Sequence, residues 1–291
     1  MIDGFDFAAL SPLEKGWSGD RKYIAQGRDG RRYVLRVSPP DKRERRAACF
    51  ANMRHLWEAG VAMCEPVATG MCEDGVYTLL GFVEGEDAEA AVSALSPQAQ
   101  YALGREAGEI LARIHTIPAP PDLEPWDARF NRKIDRNIAR FLECPIRAAG
   151  AEAFVSFIEA NRALLAGRPQ VWQHGDYHIG NMVLRPDGRL CVIDFDRDDF
   201  GDPWEEFNRI VWCAQKSPRF ARGMVEGYFG SAVPETFWPL TALYIASNQL
   251  SSVAWAVPYG QEEIDVMLAQ ARCVLGWYDG MKNPVPVWAR D

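Results

Sequence analysis

A chain of 291 residues, 48% of them hydrophobic, can bury a core in one large domain or two modest lobes, which excludes a largely disordered polypeptide. Its 40 acidic against 32 basic side chains give a formal net charge of −8, the wrong sign for neutralising nucleic-acid phosphates; it is compatible with a cationic small substrate, although from net charge alone the preferred reading is a charge that simply keeps the protein soluble. The opening MIDGFDFAAL lacks a basic stretch leading into a long apolar run, and the longest weakly polar stretch, TALYIASNQLSSVAWAVP, contains Asn248, Gln249, Ser251 and Ser252. Neither a secretory signal nor a membrane span is expected, so the location is read as cytoplasmic. Seven cysteines without a CxxC pair read as reduced, mostly packed thiols.

The first ninety residues read as an antiparallel sheet interrupted by one helix. Tyr23 to Gln26 and Tyr33 to Val37 flank a loop containing Asp29 and Gly30, a hairpin pattern. DKRERRAACFANMRHLWEAG then places Phe50, Met53, Leu56 and Trp57 at helical spacing and stops at Gly60. VYTLLGFV, introduced by Glu73, Asp74 and Gly75, is the next strand. From about residue 95 the texture becomes helical: Ser96 and Pro97 cap a helix with Leu103, Ala107, Ile110, Leu111 and Ile114 on one face. IPAPPDLEP breaks it, and amphipathic runs follow over 127–143 and 151–165. MVLRPDGRLCVID inserts a hairpin around Pro186, Asp187 and Gly188 whose second strand delivers Asp194. Beyond residue 203 the chain reads as helical nearly to its end, with the tryptophans and tyrosines at 204, 212, 228, 238, 244 and 255 in its core.

The chemistry concentrates in HGDYHIGNMVLRPDGRLCVIDFD, from His174 to Asp196. Asp176 and Asn181 stand at the D-x-x-x-x-N spacing of the protein-kinase catalytic loop, and Asp194 follows a short hairpin as the metal-holding aspartate of the DFG element does. Phosphoryl transfer needs a carboxylate beside the attacking hydroxyl and oxygen ligands for Mg²⁺. Asp176 is therefore read as the catalytic base and Asn181 and Asp194 as metal ligands. Each alone is also an ordinary turn, cap or strand-end residue; the three together, in their strand-turn-strand context, favour catalysis. His174 reads as a scaffold for the loop and His178 as a packed loop residue.

Further positions carry weaker signals. GWSGD, Gly16 to Asp20, is a turn whose backbone N–H groups can approach phosphates. Arg36 stands where the kinase strand carries its phosphate-binding lysine, with an exposed strand arginine as the other reading. The strand ending LLGFVEGED supplies a nucleotide hinge, with Leu80 at its gate and the backbone of Gly81, Phe82 and Val83 reading the base, or is a core strand. In DFDRDDFGDPWEEF seven carboxylates face only Arg197. Asp202, Glu205 and Glu206 read as helix cap and first turn. Asp196, Asp198 and Asp199 are candidates for binding an amine-bearing substrate, although a charge run is also an ordinary solvated face.

HGDYHIGN followed by VIDFD resembles the aminoglycoside phosphotransferase and choline kinase superfamily, and GWSGDRKY, YVLRVS, YTLLGFVEGED, RPQVWQHGDYHIGN and FGDPWEEFNRIVW extend the likeness along the chain to its bacterial aminoglycoside phosphotransferase-like branch. The resemblance implies an α+β, bilobal, protein-kinase-like fold. It assigns a small N-terminal antiparallel-sheet lobe, residues 1–90, to nucleotide and hinge, and a large helical C-terminal lobe, 91–291, to the catalytic loop and acceptor pocket. It also implies Mg²⁺ as cofactor and ATP or GTP as donor. By position Asp176 corresponds to the family base, Asn181 and Asp194 to its metal ligands, and Ser18 and Arg36 to its phosphate contacts. Where related sequences carry the helix glutamate that partners the strand cation, this chain has Cys49, and Glu44 is the only acidic candidate on that helix before Glu58. The implied reaction is γ-phosphate transfer to a hydroxyl of a cationic acceptor, an aminoglycoside first. A housekeeping kinase for choline, an amino alcohol or a sugar, and a nucleotide-binding pseudokinase, are the alternatives.

Overall fold

The computed structural model describes residues 2, 4–13, 19–230 and 232–290. In chain order its elements are β1 (Phe7–Pro12), β2 (Arg21–Gly27), β3 (Arg32–Ser38), α1 (Arg43–Glu58), β4 (Pro66–Cys72), β5 (Gly75–Gly81), β6 (Glu86–Asp87), α2 (Ala88–Ala91), α3 (Pro97–Ile114), α4 (Trp126–Glu143) and α5 (Glu152–Asn161). They continue as β7 (Val171–Gln173), β8 (Met182–Leu184), β9 (Leu190–Val192), β10 (Asp199–Gly201), α6 (Ile210–Lys216), α7 (Pro218–Phe229), α8 (Phe237–Ala256) and α9 (Gln261–Trp277). Two compact units result, one of Met1–Ala88 with Asn181–Phe195, the other of Glu89–Gly180 with Asp196–Asp291.

In the first unit five strands make an antiparallel sheet in the order β1-β2-β3-β5-β4. β2 and β3 form the expected hairpin, with Tyr23 opposite Leu35 and Ala25 opposite Tyr33. Alternate residues Tyr33, Leu35 and Val37 enter one cluster with Ala25, Tyr77 and Leu79, as the two-residue period of a strand requires. β1 is an edge strand with mostly exposed residues, so its sequence has no alternation to read. α1 turns Phe50, Met53 and Leu56 inward, but Trp57, which the spacing put on the same face, is 42% exposed. The face is completed one turn earlier by Arg46, a buried cation that an apolar pattern cannot register.

The same unit includes residues 181–195, whereas the sequence division fell at 90/91. The reason is strand pairing: β6-β8-β9 form a small antiparallel sheet, and Val192 exchanges backbone bonds with the 62–64 segment, Cys64 N to Val192 O at 2.9 Å and Val192 N to Ala62 O at 3.0 Å. Gly85 permits the approach, since a Cβ there would lie 2.3 Å from the carbonyl oxygen of Leu184.

The second unit is mainly helical. Ser96 caps α3 as expected, its hydroxyl accepting from Ala99 N at 3.2 Å. α3 packs on α7 with backbones close together: a Cβ on Gly104 or Gly108 would sit 2.1 Å from the carbonyl oxygen of Phe220 or Met224. β7 and β10 pair antiparallel, Gln173 opposite Asp199. Of the aromatic residues assigned to the core, Tyr244 is fully enclosed, but Trp255 is 38% exposed and lies against Tyr259. All seven thiols are free, and burial pushes Cys191 up to about 11 and Cys213 up to about 12, which keeps both protonated. Among the described residues no helix is long and apolar enough to cross a membrane.

Candidate active site

Asp176 lies in the loop that leaves β7, and that loop is fixed through its own backbone. The carboxylate of Glu206 accepts from His174 N at 2.8 Å and from Gly175 N at 2.6 Å, and lies 3.3 Å from Nε2 of His115. Gly175 has φ 82°, and a Cβ there would stand 1.9 Å from the carbonyl oxygen of Arg197, so only glycine fits. Buried His174 accepts from Asp176 N at 3.2 Å through Nδ1, and the Tyr177 hydroxyl donates to the carbonyl of Ala107 at 2.6 Å. The sequence marked His174 as a scaffold but placed Glu206 only in a helical turn. Its partners lie 32 and 31 positions away, beyond any local signal.

The Asp176 side chain is 20% exposed and faces three nitrogen-bearing groups. Arg209 Nε is 3.1 Å from Oδ1, Arg197 Nη1 is 3.6 Å from Oδ2, and His178 Nε2 is 3.8 Å from Oδ1. Burial alone would raise the pKa of Asp176. Arg209, with His178, Arg197 and His174, outweighs it and holds the carboxyl below the usual aspartate range, hence ionised at neutral pH. For His178 burial prevails over the pull of Asp176 and lowers the pKa towards the neutral imidazole. Its Nδ1 accepts from Gly180 N at 3.1 Å.

Asn181, Asp194 and Arg36 belong to the first unit. Ile193 N donates to the carbonyl of Asn181 at 3.0 Å, and Asp194 follows at φ 65°, a left-handed conformation that aspartate adopts more readily than bulky residues. Asp194 Oδ1 accepts from Arg36 Nη2 at 2.8 Å, and the Arg36 side chain is mostly enclosed, unlike an exposed strand arginine. Asn181 and Asp194 offer amide and carboxylate oxygens, the hard donor set that suits Mg²⁺. Among the described residues no group of three or more His, Cys, Asp or Glu gathers as a metal site.

At the helix position expected to face Arg36, Cys49 donates its thiol to the carbonyl of Phe195 at 3.4 Å, and Glu44 is exposed. Besides Asp194, the carboxylate near Arg36 comes not from the helix but from Asp20, whose side chain is fully buried, 3.8 Å from Arg36 Nε. Ser18 lies outside the described residues. In the hinge segment Gly81 N donates to the carbonyl of Glu65 at 2.8 Å and Phe82 N to that of Arg32 at 3.1 Å, so both donors already serve the unit's own backbone. Leu80 sits inside β5 opposite Val34, and Val83 follows Phe82, over whose ring the Arg32 guanidinium stands at 4.0 Å.

The acidic run is largely engaged in structure. Asp198 Oδ2 accepts from the Trp172 indole at 3.0 Å. Asp199 bonds Phe200 N through Oδ1 and pairs at 3.5 Å with Arg129, leaving its side chain 66% exposed. Asp202, fully buried, accepts from Arg168 at 2.6 and 2.9 Å, from the Tyr244 hydroxyl at 2.6 Å and from Trp204 N at 2.9 Å. Its expected capping role is therefore one part of a buried hub. Glu205 pairs with Lys133 at 2.8 Å, and Asp196 is partly buried.

Comparison with known proteins bears on these observations. Residues 9–238 match the model of the APH family, described as a phosphotransferase enzyme family. A glucosamine kinase of Streptacidiphilus jiangxiensis is 33% identical over 106 residues, a stretch covering 35% of this chain and 24% of that kinase. Among solved structures, the GDP complex of an aminoglycoside 2'-phosphotransferase superposes with a TM-score of 0.67 at 14% identity, covering 96% of this chain and 95% of that one. A choline/ethanolamine kinase family protein from Mesorhizobium loti gives 0.65 at 17% identity, covering 97% and 92%. The aminoglycoside phosphotransferase APH(4)-Ia, in a ternary complex with ADP and hygromycin B, gives 0.64 at 18% identity, covering 92% and 94%. The fold is thus the α+β fold of protein-kinase-like small-molecule kinases. With the family model spanning most of its length, this chain belongs to the phosphotransferase enzyme family.

Proposed function

We propose that the protein transfers the γ-phosphate of ATP or GTP to a hydroxyl of an amine-bearing small molecule, with Asp176 as the base. The observation that carries this reading is the state of Asp176: an ionised carboxylate, still part-exposed, on a loop whose two preceding N–H groups are tied to Glu206. A base must be deprotonated and positioned before the substrate arrives, and this one meets both conditions. The acceptor hydroxyl gives its proton to Asp176 as its oxygen bonds to the γ-phosphorus, the bond to the bridging oxygen breaks, and the nucleoside diphosphate leaves with that electron pair. Asn181 and Asp194 would hold Mg²⁺, which supplies charge neutralisation at the phosphates when bound, while Arg36 binds phosphate oxygens. Leu80 to Val83 would contact the base, with reading assigned to Val83 N–H and the segment's carbonyls because the Gly81 and Phe82 donors are engaged.

For the acceptor an aminoglycoside is the first choice, supported by relatives whose structures contain hygromycin B, gentamicin or spectinomycin. An amino sugar is the second, supported by the match to a glucosamine kinase. Exposed Asp199 suits an amine contact better than Asp198, whose Oδ2 is held by Trp172, and Asp196 is the remaining candidate. The test is nucleoside diphosphate release with Mg²⁺ and ATP or GTP against aminoglycosides, glucosamine, choline and neutral sugars. Stimulation by an amine-bearing sugar supports the reading. Stimulation only by choline or a neutral sugar makes the protein a metabolite kinase of another class, and tight nucleotide binding without transfer to any acceptor makes it a pseudokinase.

A further inference from the structure

In protein kinases the strand cation that clamps phosphate is held by a carboxylate on the neighbouring helix. Here α1 offers cations in that region, and the carboxylate reaches them from the start of β2. Asp20 Oδ2 accepts from Arg46 Nη2 at 2.6 Å and from the Ser38 hydroxyl at 2.9 Å, and Oδ1 accepts from Lys42 Nζ at 3.0 Å. Arg46 also donates from Nε to the Ser38 hydroxyl at 3.0 Å, so its guanidinium ties α1 to the end of β3, two residues beyond Arg36. Burial would raise the pKa of Asp20, but the Lys42 and Ser38 bonds and the Arg46 and Lys42 charges together lower it, so the group is ionised.

We propose that Asp20 is the positioning residue of the donor-phosphate site, replacing the helix carboxylate with reversed polarity, and that Lys42 is a second cation for the phosphates of the nucleotide. The geometry divides the two α1-side cations by role. Arg46 has a side chain 6% exposed and is bonded to two partners, which makes it a fastener. Lys42 precedes the first turn of α1, its side chain is 35% exposed, and its four-carbon stem lets the ammonium turn from Asp20 to a phosphate while the backbone stays in place. Pro39 and Pro40 stiffen the entry to that turn. Arg36, between Asp20 and Asp194, is oriented from both sides.

This inference rests on the phosphotransferase reading, and the experiment separates the two. MgATP and MgGTP are titrated against the full chain carrying a displaceable fluorescent ATP analogue, with melting temperature measured for each variant. Lys42→Met is expected to weaken nucleotide binding roughly tenfold, the size of one charge-assisted contact, in a protein that still folds cooperatively with a modestly lower melting temperature because Asp20 loses one partner, and Lys42→Arg to recover most of the binding. Asp20→Asn is expected to weaken binding at least as much, with partial recovery in Asp20→Glu. Folded Lys42→Met and Asp20→Asn proteins that bind nucleotide as the wild type does would overturn the inference. If Asp20→Asn does not fold, Lys42→Met decides alone. A wild-type chain that binds neither nucleotide would instead sink the phosphotransferase reading.

Discussion

Asp176 stands among groups that hold its proton affinity down, and that fixes what its replacement should do. In Asp176→Asn the geometry is nearly kept but the proposed proton acceptor is gone, so turnover should fall roughly 10²–10⁴-fold while nucleotide affinity stays near wild type. Steady-state rates with a separate binding titration check this, and undiminished turnover would refute the assignment. The sign of the pH dependence follows from the same neighbours. A carboxyl whose folded pKa is depressed stays charged as pH falls through the ordinary aspartate range, so the acid limb of kcat/KM should lie below that range. Arg209→Met removes the largest opposing charge and leaves the burial, so the limb should move to higher pH. An unmoved limb would show that Arg209 does not set the titration. At this scale the spacing of Asp176, Asn181 and Asp194 was legible because it is a local pattern. Arg209, Glu206 and Asp20 were not, because each acts on partners 16 or more positions away.

Elements were legible where one periodicity governs them. The β2–β3 hairpin, the Ser96 cap of α3 and the β8–β9 hairpin follow from alternation and turn chemistry within a short continuous stretch of chain. The α3–α7 contact was not, since Gly104, Gly108, Gly223 and Gly227 matter only once two helices are brought face to face. A helix-interior glycine usually costs stability relative to alanine, so its retention at an interface points to backbone proximity. Gly108→Ala would thrust a Cβ to 2.1 Å from the carbonyl oxygen of Met224 and 2.5 Å from Tyr228 N, and should destabilise by about 1–3 kcal/mol. Gly276→Ala is the contrast: nothing lies within 4 Å of its Cβ near the end of α9, and the helix should gain about 0.5–1 kcal/mol. Chemical denaturation of both variants tests the pair, and equal effects of the same sign would contradict the packing argument.

At the scale of the whole molecule, the division drawn at 90/91 follows the change from strand to helix texture, while the first unit also draws in residues 181–195 from far along the chain. A pairing partner almost a hundred positions away leaves no mark in local composition, so no change of texture could announce it. The consequence can be tested by truncation. A fragment of residues 1–90 keeps the five-stranded sheet and α1 but loses β8 and β9, leaving β6 without its ladder and Ala62 O and Cys64 N without their bonds to Val192. It also loses the chain that covers Met63 and Cys64, both buried in the intact protein, and so exposes apolar surface beside an unpaired backbone edge. The fragment should therefore lack a cooperative thermal transition or associate, whereas the same fragment joined through a short glycine-serine linker to residues 181–195 should regain one. Circular dichroism melts with sedimentation would distinguish the two cases. A cooperative, monomeric fragment of 1–90 would show that the five-stranded sheet with α1 is sufficient, and that the returning hairpin serves the placement of Asn181 and Asp194 more than the stability of the unit.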